Sequence, residues 1–239
     1  NTFAPCDFAV GVAVDFATEI ERQATGLERF ALRLARSYDL ADGRWDSVDG
    51  EARWQLQIDV PQARSLSFHA DDIAIPSGGR VLLHAASGES FQHQRRHWST
   101  GELWSRPLPG ERLTLEIRVP LAEQHRVRLH LRELQVAYRD LNDPGKDHPA
   151  YAPVRERLLR EQAAAEGQIA AKSDIASCSL NYACEANDGN RRIAQSTVQV
   201  IFGNAAACTG TLVADTEGSY RTYVATAQHC ALLADSTGA

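Results

Sequence analysis

The chain has 239 residues, 44% hydrophobic and 23% charged, an ordinary globular composition with room for one to two domains. A formal charge of −6 carries no nucleic-acid footprint, and no apolar run approaches the roughly 20 residues of a membrane helix, so neither is an expected partner. Five cysteines without a Cys-x-x-Cys pair lack the usual zinc spacing, and no metal or other cofactor is expected.

In chain order, Asp15 to Arg22 reads as a helical turn or two. Strands dominate from there to residue 140. Phe30–Arg36, Arg53–Asp59, Arg112–Val119 and Val127–Leu131 all alternate apolar and polar residues, the pattern of half-buried strands. Turn residues separate them: Ala41-Asp42-Gly43, Asp49-Gly50, Pro76-Ser77-Gly78-Gly79, Ser87-Gly88 and Pro109-Gly110. Six or more short strands predict an antiparallel β-sandwich over 1–140, and a mainly β fold for the whole chain. Asn142-Asp143-Pro144-Gly145 then breaks the strand pattern. Val154 to Glu166, rich in Arg, Glu, Leu and Ala, predicts an exposed helix. Residues 141–172 are accordingly read as a helical or flexible linker. Strands return at Thr197–Phe202, Gly210–Val213 and Tyr220–Ala225, within a third region, 173–239.

Several polar constellations are read as structural. His93 and His97 stand four apart, but the stretch Gln92–Trp98 holds two arginines and no acid, so an exposed loop is expected rather than a metal site. Asp71-Asp72 is read as a turn. Trp45, Trp54, Trp98 and Trp104 are read as core and edge packing in preference to a sugar-stacking platform.

The informative segment lies near the end: Ala207-Cys208-Thr209-Gly210-Thr211-Leu212-Val213, then Tyr223-Val224-Ala225-Thr226-Ala227-Gln228-His229-Cys230. A Cys-x-Gly-Thr-Leu strand followed by Thr-Ala-x-His-Cys resembles the catalytic-histidine segment of chymotrypsin-like serine proteases. Cys178-Ser-Leu-Asn-Tyr-Ala-Cys184 and Asp188–Ile193 resemble the mature start of bacterial lysyl endopeptidases. Ala74–His84, Gly101–Trp104, Gly110–Pro120 and Val136–Arg139 resemble the pro-region of that family.

The resemblance implies a pro-region β-sandwich that packs on its own protease domain, and the first part of a chymotrypsin-like β-barrel over 173–239. It implies His229 as catalytic base and a Cys208–Cys230 disulfide clamping its loop to the preceding strand. The partners of Cys178 and Cys184 are expected downstream, and Cys6 has no assigned mate. No Gly-Asp-Ser-Gly-Gly element occurs in the 239 residues. The nucleophile, the aspartate and the specificity pocket are therefore expected beyond Ala239, and this stretch alone is expected to be inactive.

Four of the five cysteines fall between 178 and 230, which suits oxidised disulfides in a secreted or periplasmic protein. Lys172 is one of only two lysines and stands six residues before Cys178 in a small-residue stretch. Accessible, irregular segments are where proteases cut, so self-processing between Lys172 and Ser173 is expected, with Arg157 or Arg160 as the competing positions. The expected activity is hydrolysis of polypeptide substrates through a Ser-His-Asp triad. The alternative is a β-sandwich module binding protein or carbohydrate, with a non-catalytic protease-like appendage. A downstream Gly-x-Ser-Gly element separates the two.

Overall fold

A computed structural model describes residues 9–167, 187–214, 221, 223–228 and 230. The fold is mainly β, in multiple sheets of which none closes into a barrel. The chain divides into two compact units: Asn1–Ala24 with Phe30–Ala152, and Thr25–Arg29 with Pro153–Ala239.

The first unit is built from two sheets. One joins β1 (Ala9–Gly11), β3 (Arg44–Val48), β4 (Glu51–Asp59), β6 (Arg80–Ala85), β7 (Ser90–His93) and β10 (Arg112–Pro120), in the order β1-β4-β10-β6-β7 with β3 also on β4. The other joins β2 (Ala31–Asp39), β5 (Ser65–Ala74), β8 (Leu103–Trp104), β9 (Leu108–Pro109) and β11 (Arg128–Ala137), in the order β2-β11-β5-β8 with β9 also on β5. Pairing is antiparallel apart from β1, which runs parallel to β4, so the antiparallel expectation fails at this one short strand.

Period-two alternation decides which side chains face inward. Trp54, Leu56 and Ile58 of β4, Leu113, Leu115 and Ile117 of β10, and Leu66, Phe68 and Ala70 of β5 are all buried. The indole N–H of Trp54 donates to the Leu40 carbonyl at 3.0 Å, so the largest buried ring leaves no unmet donor. Trp98 is also buried, and Trp104 stacks on His69 with ring centroids 3.9 Å apart. These rings pack as structural elements of the unit.

Helix α1 (Phe16–Gln23) is capped by Asp15, whose carboxylate accepts from the Thr18 backbone N–H at 3.2 Å and its hydroxyl at 2.8 Å. Phe16 and Ile20, one turn apart, form its buried face. Its last residue, Gln23, accepts from the Arg33 N–H at 2.8 Å and so occupies a donor on the edge strand β2.

Two local expectations are corrected. Asp71 and Asp72 lie within strand β5, not in a turn. His93 is buried at the end of β7 rather than exposed in a loop, and its Nδ1 meets His97 Nδ1 at 3.1 Å. The short 3-10 helix Arg95–Trp98 brings His97 back over His93. No group of three or more His, Cys, Asp or Glu is placed to hold a metal among the described residues.

Helix α2 (Tyr151–Gly167), which belongs to the second unit from Pro153 onward, occupies the stretch where an exposed helix is expected, but its Tyr151, Val154 and Leu158 are buried. Helix α3 (Asp188–Ser196) follows, with Asn187 as its cap, accepting from the Asn190 N–H at 3.0 Å. A three-stranded antiparallel sheet completes the unit: β12 (Thr197–Phe202), β13 (Ala206–Val213) and β14 (Tyr223–Thr226).

Candidate active site

His229, Lys172, Ser173, Cys178, Cys184 and Cys6 lie outside the described residues; the frame on either side of His229 lies within them. That frame begins with a tight turn. Gly203 and Asn204 both take positive φ, 51° and 49°, and the Ala205 N–H donates to the Phe202 carbonyl at 3.0 Å. Two consecutive left-handed residues make the turn whose twist matches antiparallel strands, and glycine and asparagine adopt it at least cost. It sets β13 against β12 with Cys208 opposite Val200.

Gly210 is fixed by packing. A Cβ there would lie 2.6 Å from Val224 Cγ1 and 3.0 Å from Val200 Cγ2, so both neighbouring strands close over the bare backbone. This is why the Cys-Thr-Gly-Thr-Leu strand carries glycine at its centre. On its other side β13 pairs with β14, Gly210 opposite Thr226 and Val213 opposite Tyr223. The Thr226 hydroxyl donates to the Thr209 carbonyl at 2.8 Å, tying the end of β14 to β13 three residues before His229.

Position 229 is bracketed on its far side as well. The Cys230 N–H donates to the Ala227 carbonyl at 3.0 Å. Cys230 is buried and disulfide-bonded to Cys208, with Cα atoms 6.1 Å apart. Thr226 and Cys230, described residues on either side of position 229, are thus tied to β13 by a hydrogen bond and by a covalent link.

The start of β13 has a further neighbour. The Ala207 N–H donates to the Glu28 carbonyl at 2.9 Å, and Arg29 forms a bridge with Ala206. The segment Thr25–Arg29, which stands between α1 and β2 in sequence, therefore belongs to this unit as an added strand-like contact. Nothing in its composition marks it for that role. Helix α3 also escaped the sequence reading. Its legible signal is Asn187 capping Asn190, a cap-to-N3 spacing that opens many helices.

With this geometry in place, a comparison with protein families assigns the region. Residues 173–238 match the family model described as lysyl endopeptidase, C-terminal domain. That match takes in α3, all three strands and the disulfide of the second unit. This part of the chain is similar to that lysyl endopeptidase domain. Among the described residues, no helix is long and apolar enough to cross a membrane.

Proposed function

We propose that the chain is part of the precursor of a secreted or periplasmic serine endopeptidase that cleaves polypeptides, with His229 as its general base. The observation that carries this reading is the Cys208–Cys230 disulfide, which ties the residue following His229 in sequence to β13 inside the family-matched region. In acyl transfer a serine hydroxyl is too weak a nucleophile at neutral pH. An imidazole fixed beside it takes its proton and later returns that proton to the leaving amine. A disulfide adjacent to the histidine supplies rigidity without using any hydrogen-bonding group of the ring.

Under this proposal the β-sandwich is the pro-region, removed by cleavage between Lys172 and Ser173. The preference would then be for lysine at the scissile bond, as the name of the matched family indicates. Cys178 and Cys184 would pair with cysteines outside these 239 residues.

The test uses the precursor as its host secretes it. The expected result is hydrolysis of lysyl peptide amides, with His229→Ala lowering kcat by at least about 10^4-fold. N-terminal sequencing of the processed protein is expected to begin at Ser173. Undiminished hydrolysis by His229→Ala overturns the role of this histidine, and a mature start elsewhere overturns the Lys172 site.

A further inference from the structure

A second arrangement of catalytic residue types lies wholly within the first unit. His130 of β11 stands between Asp71 of β5 and Ser37 of β2. Its Nδ1 is 2.5 Å from an Asp71 carboxylate oxygen, and its Nε2 is 2.9 Å from the Ser37 hydroxyl. A carboxylate only accepts, so Nδ1 carries the proton and donates to Asp71. In the neutral ring Nε2 is then the bare nitrogen, and it accepts from the Ser37 hydroxyl. This is the tautomer and order of contacts that activates a serine.

Irregularities in two strands produce this convergence. Between β11 and β5 the register steps from His130 opposite Asp72 to Leu131 opposite Ala70, leaving Asp71 as an extra residue. Between β11 and β2, Leu131 opposes Tyr38 and Glu133 opposes Ala35, so Arg36 and Ser37 together face the single residue Arg132. A bulge re-aims the side chain at the point where it interrupts the ladder. Here the irregularities on the two sides of β11 turn Asp71 and Ser37 toward the same imidazole. The His130 and Asp71 side chains keep 40% and 31% of their exposure, and Ser37 is exposed, so a small molecule reaches the hydroxyl directly.

We propose that Ser37 is an acylable nucleophile, with His130 as its general base and Asp71 as the positioning carboxylate, for small activated carboxylic esters. The Ser37 oxygen bonds to the acyl carbon as the bond to the leaving oxygen breaks. The hydroxyl proton passes to His130 Nε2 and from there to the leaving alkoxide or phenoxide. Water then attacks the acyl-serine, giving its proton to Nε2, and the carboxylic acid departs as Ser37 regains a proton. An open sheet surface does not enclose its substrate, which confines the site to esters with good leaving groups rather than amides. Asp71 is suited to its role. Burial alone would raise its pKa, but the hydrogen bond from His130, with Arg132 nearby, holds it below the ordinary value, so it stays ionised.

The molecule contains its own control. Ser90 Oγ meets His84 Nδ1 at 2.8 Å, but His84 Nε2 is 3.8 Å from Glu116, beyond hydrogen-bonding reach. Glu116 is instead engaged by Gln55 at 2.8 Å and Arg118 at 2.5 Å. The His84–Glu116 pair therefore lacks the direct hydrogen bond that His130 makes to Asp71, and Ser90 is not expected to react.

The test exposes the protein carrying His229→Ala, which silences the proposed protease chemistry, to p-nitrophenyl acetate, and maps acetyl groups by peptide mass spectrometry. The expected result is acetylation of Ser37 and not Ser90. Ser37→Ala removes the adduct, and His130→Gln slows its formation by about 10²-fold, as general-base assistance predicts. Asp71→Asn is expected to slow it as well and to alter its pH profile, a change that lost packing alone would not make. Thermal melts establish that each variant is folded, and the Ser37→Ala surface substitution serves if another is not. Ser37 left unmodified, or modified at the same rate in His130→Gln, overturns the proposal; neither result bears on His229.

Discussion

The two units hold themselves together by different means. In the first, both sheets present continuous rows of buried aliphatic and aromatic side chains, and Leu56, Leu66, Leu83, Leu113 and Val136 are at most 0% exposed. In the second, strands β13 and β14 leave apolar side chains in the open: Leu212, Val213, Tyr223 and Val224 keep 39%, 43%, 45% and 45% of their surface. Its order rests on strand hydrogen bonds and on the Cys208–Cys230 link. The difference teaches that a packed core and a covalent staple are alternative answers to the same entropy cost. The unit with the thinner described core is the one that carries the staple.

The sharpest way to break this contrast is to open the first core. Trp54→Ala removes a fully buried indole together with its hydrogen bond to Leu40. It is expected to cost about 3–5 kcal/mol. All four tryptophans lie in the first unit, so their fluorescence reports its unfolding alone. A denaturant midpoint unchanged by Trp54→Ala would mean that this core does not govern the unit. The next largest effect belongs to the second unit. The disulfide closes a 22-residue separation, and its loss in Cys208→Ala/Cys230→Ala is expected to cost about 3 kcal/mol on the loop-entropy estimate. Hydrogen exchange of β13 and β14 should accelerate while the tryptophan transition stays in place. If both units respond together, the two are not separately stabilised.

Legibility in the sequence followed the same division. Where strands alternate without interruption, as in β4 and β10, the expected and observed spans agree to within two residues at each end. Strand β5 was missed because Leu66, Phe68 and Ala70 keep one parity and Ile73 the other. The extra residue that breaks the period is Asp71, so the irregularity that hid the strand is also what aims Asp71 at His130. In the second unit, Cys208 and Cys230 were legible because their spacing around the His segment carries the resemblance, and the structure joins them. The Thr25–Arg29 contact was not legible, since it uses only backbone groups at Glu28 and Ala207 and leaves no side-chain signature.

The smallest expected effect sharpens the comparison along the pH axis. His93 is 4% exposed, and its Nε2 accepts from the Arg106 N–H at 3.4 Å, so Nδ1 carries the proton shared with His97. Burial, then the charge of His97, pushes its pKa down from 6.5 to about 4. On lowering the pH, the unfolded chain takes up this proton near 6.5 while the folded chain resists until about 4. Across that window the unfolded state binds more protons, so stability falls as pH falls and levels off below the folded value. The loss is on the order of 2–3 kcal/mol, all of it in the first unit. His93→Gln cannot titrate, so its tryptophan-monitored stability should decline less than the wild type's between those limits. Parallel declines would assign the acid sensitivity to other groups. A further acceleration of exchange in β13 and β14 over the same range would show that protonation at β7 reaches the disulfide-held unit.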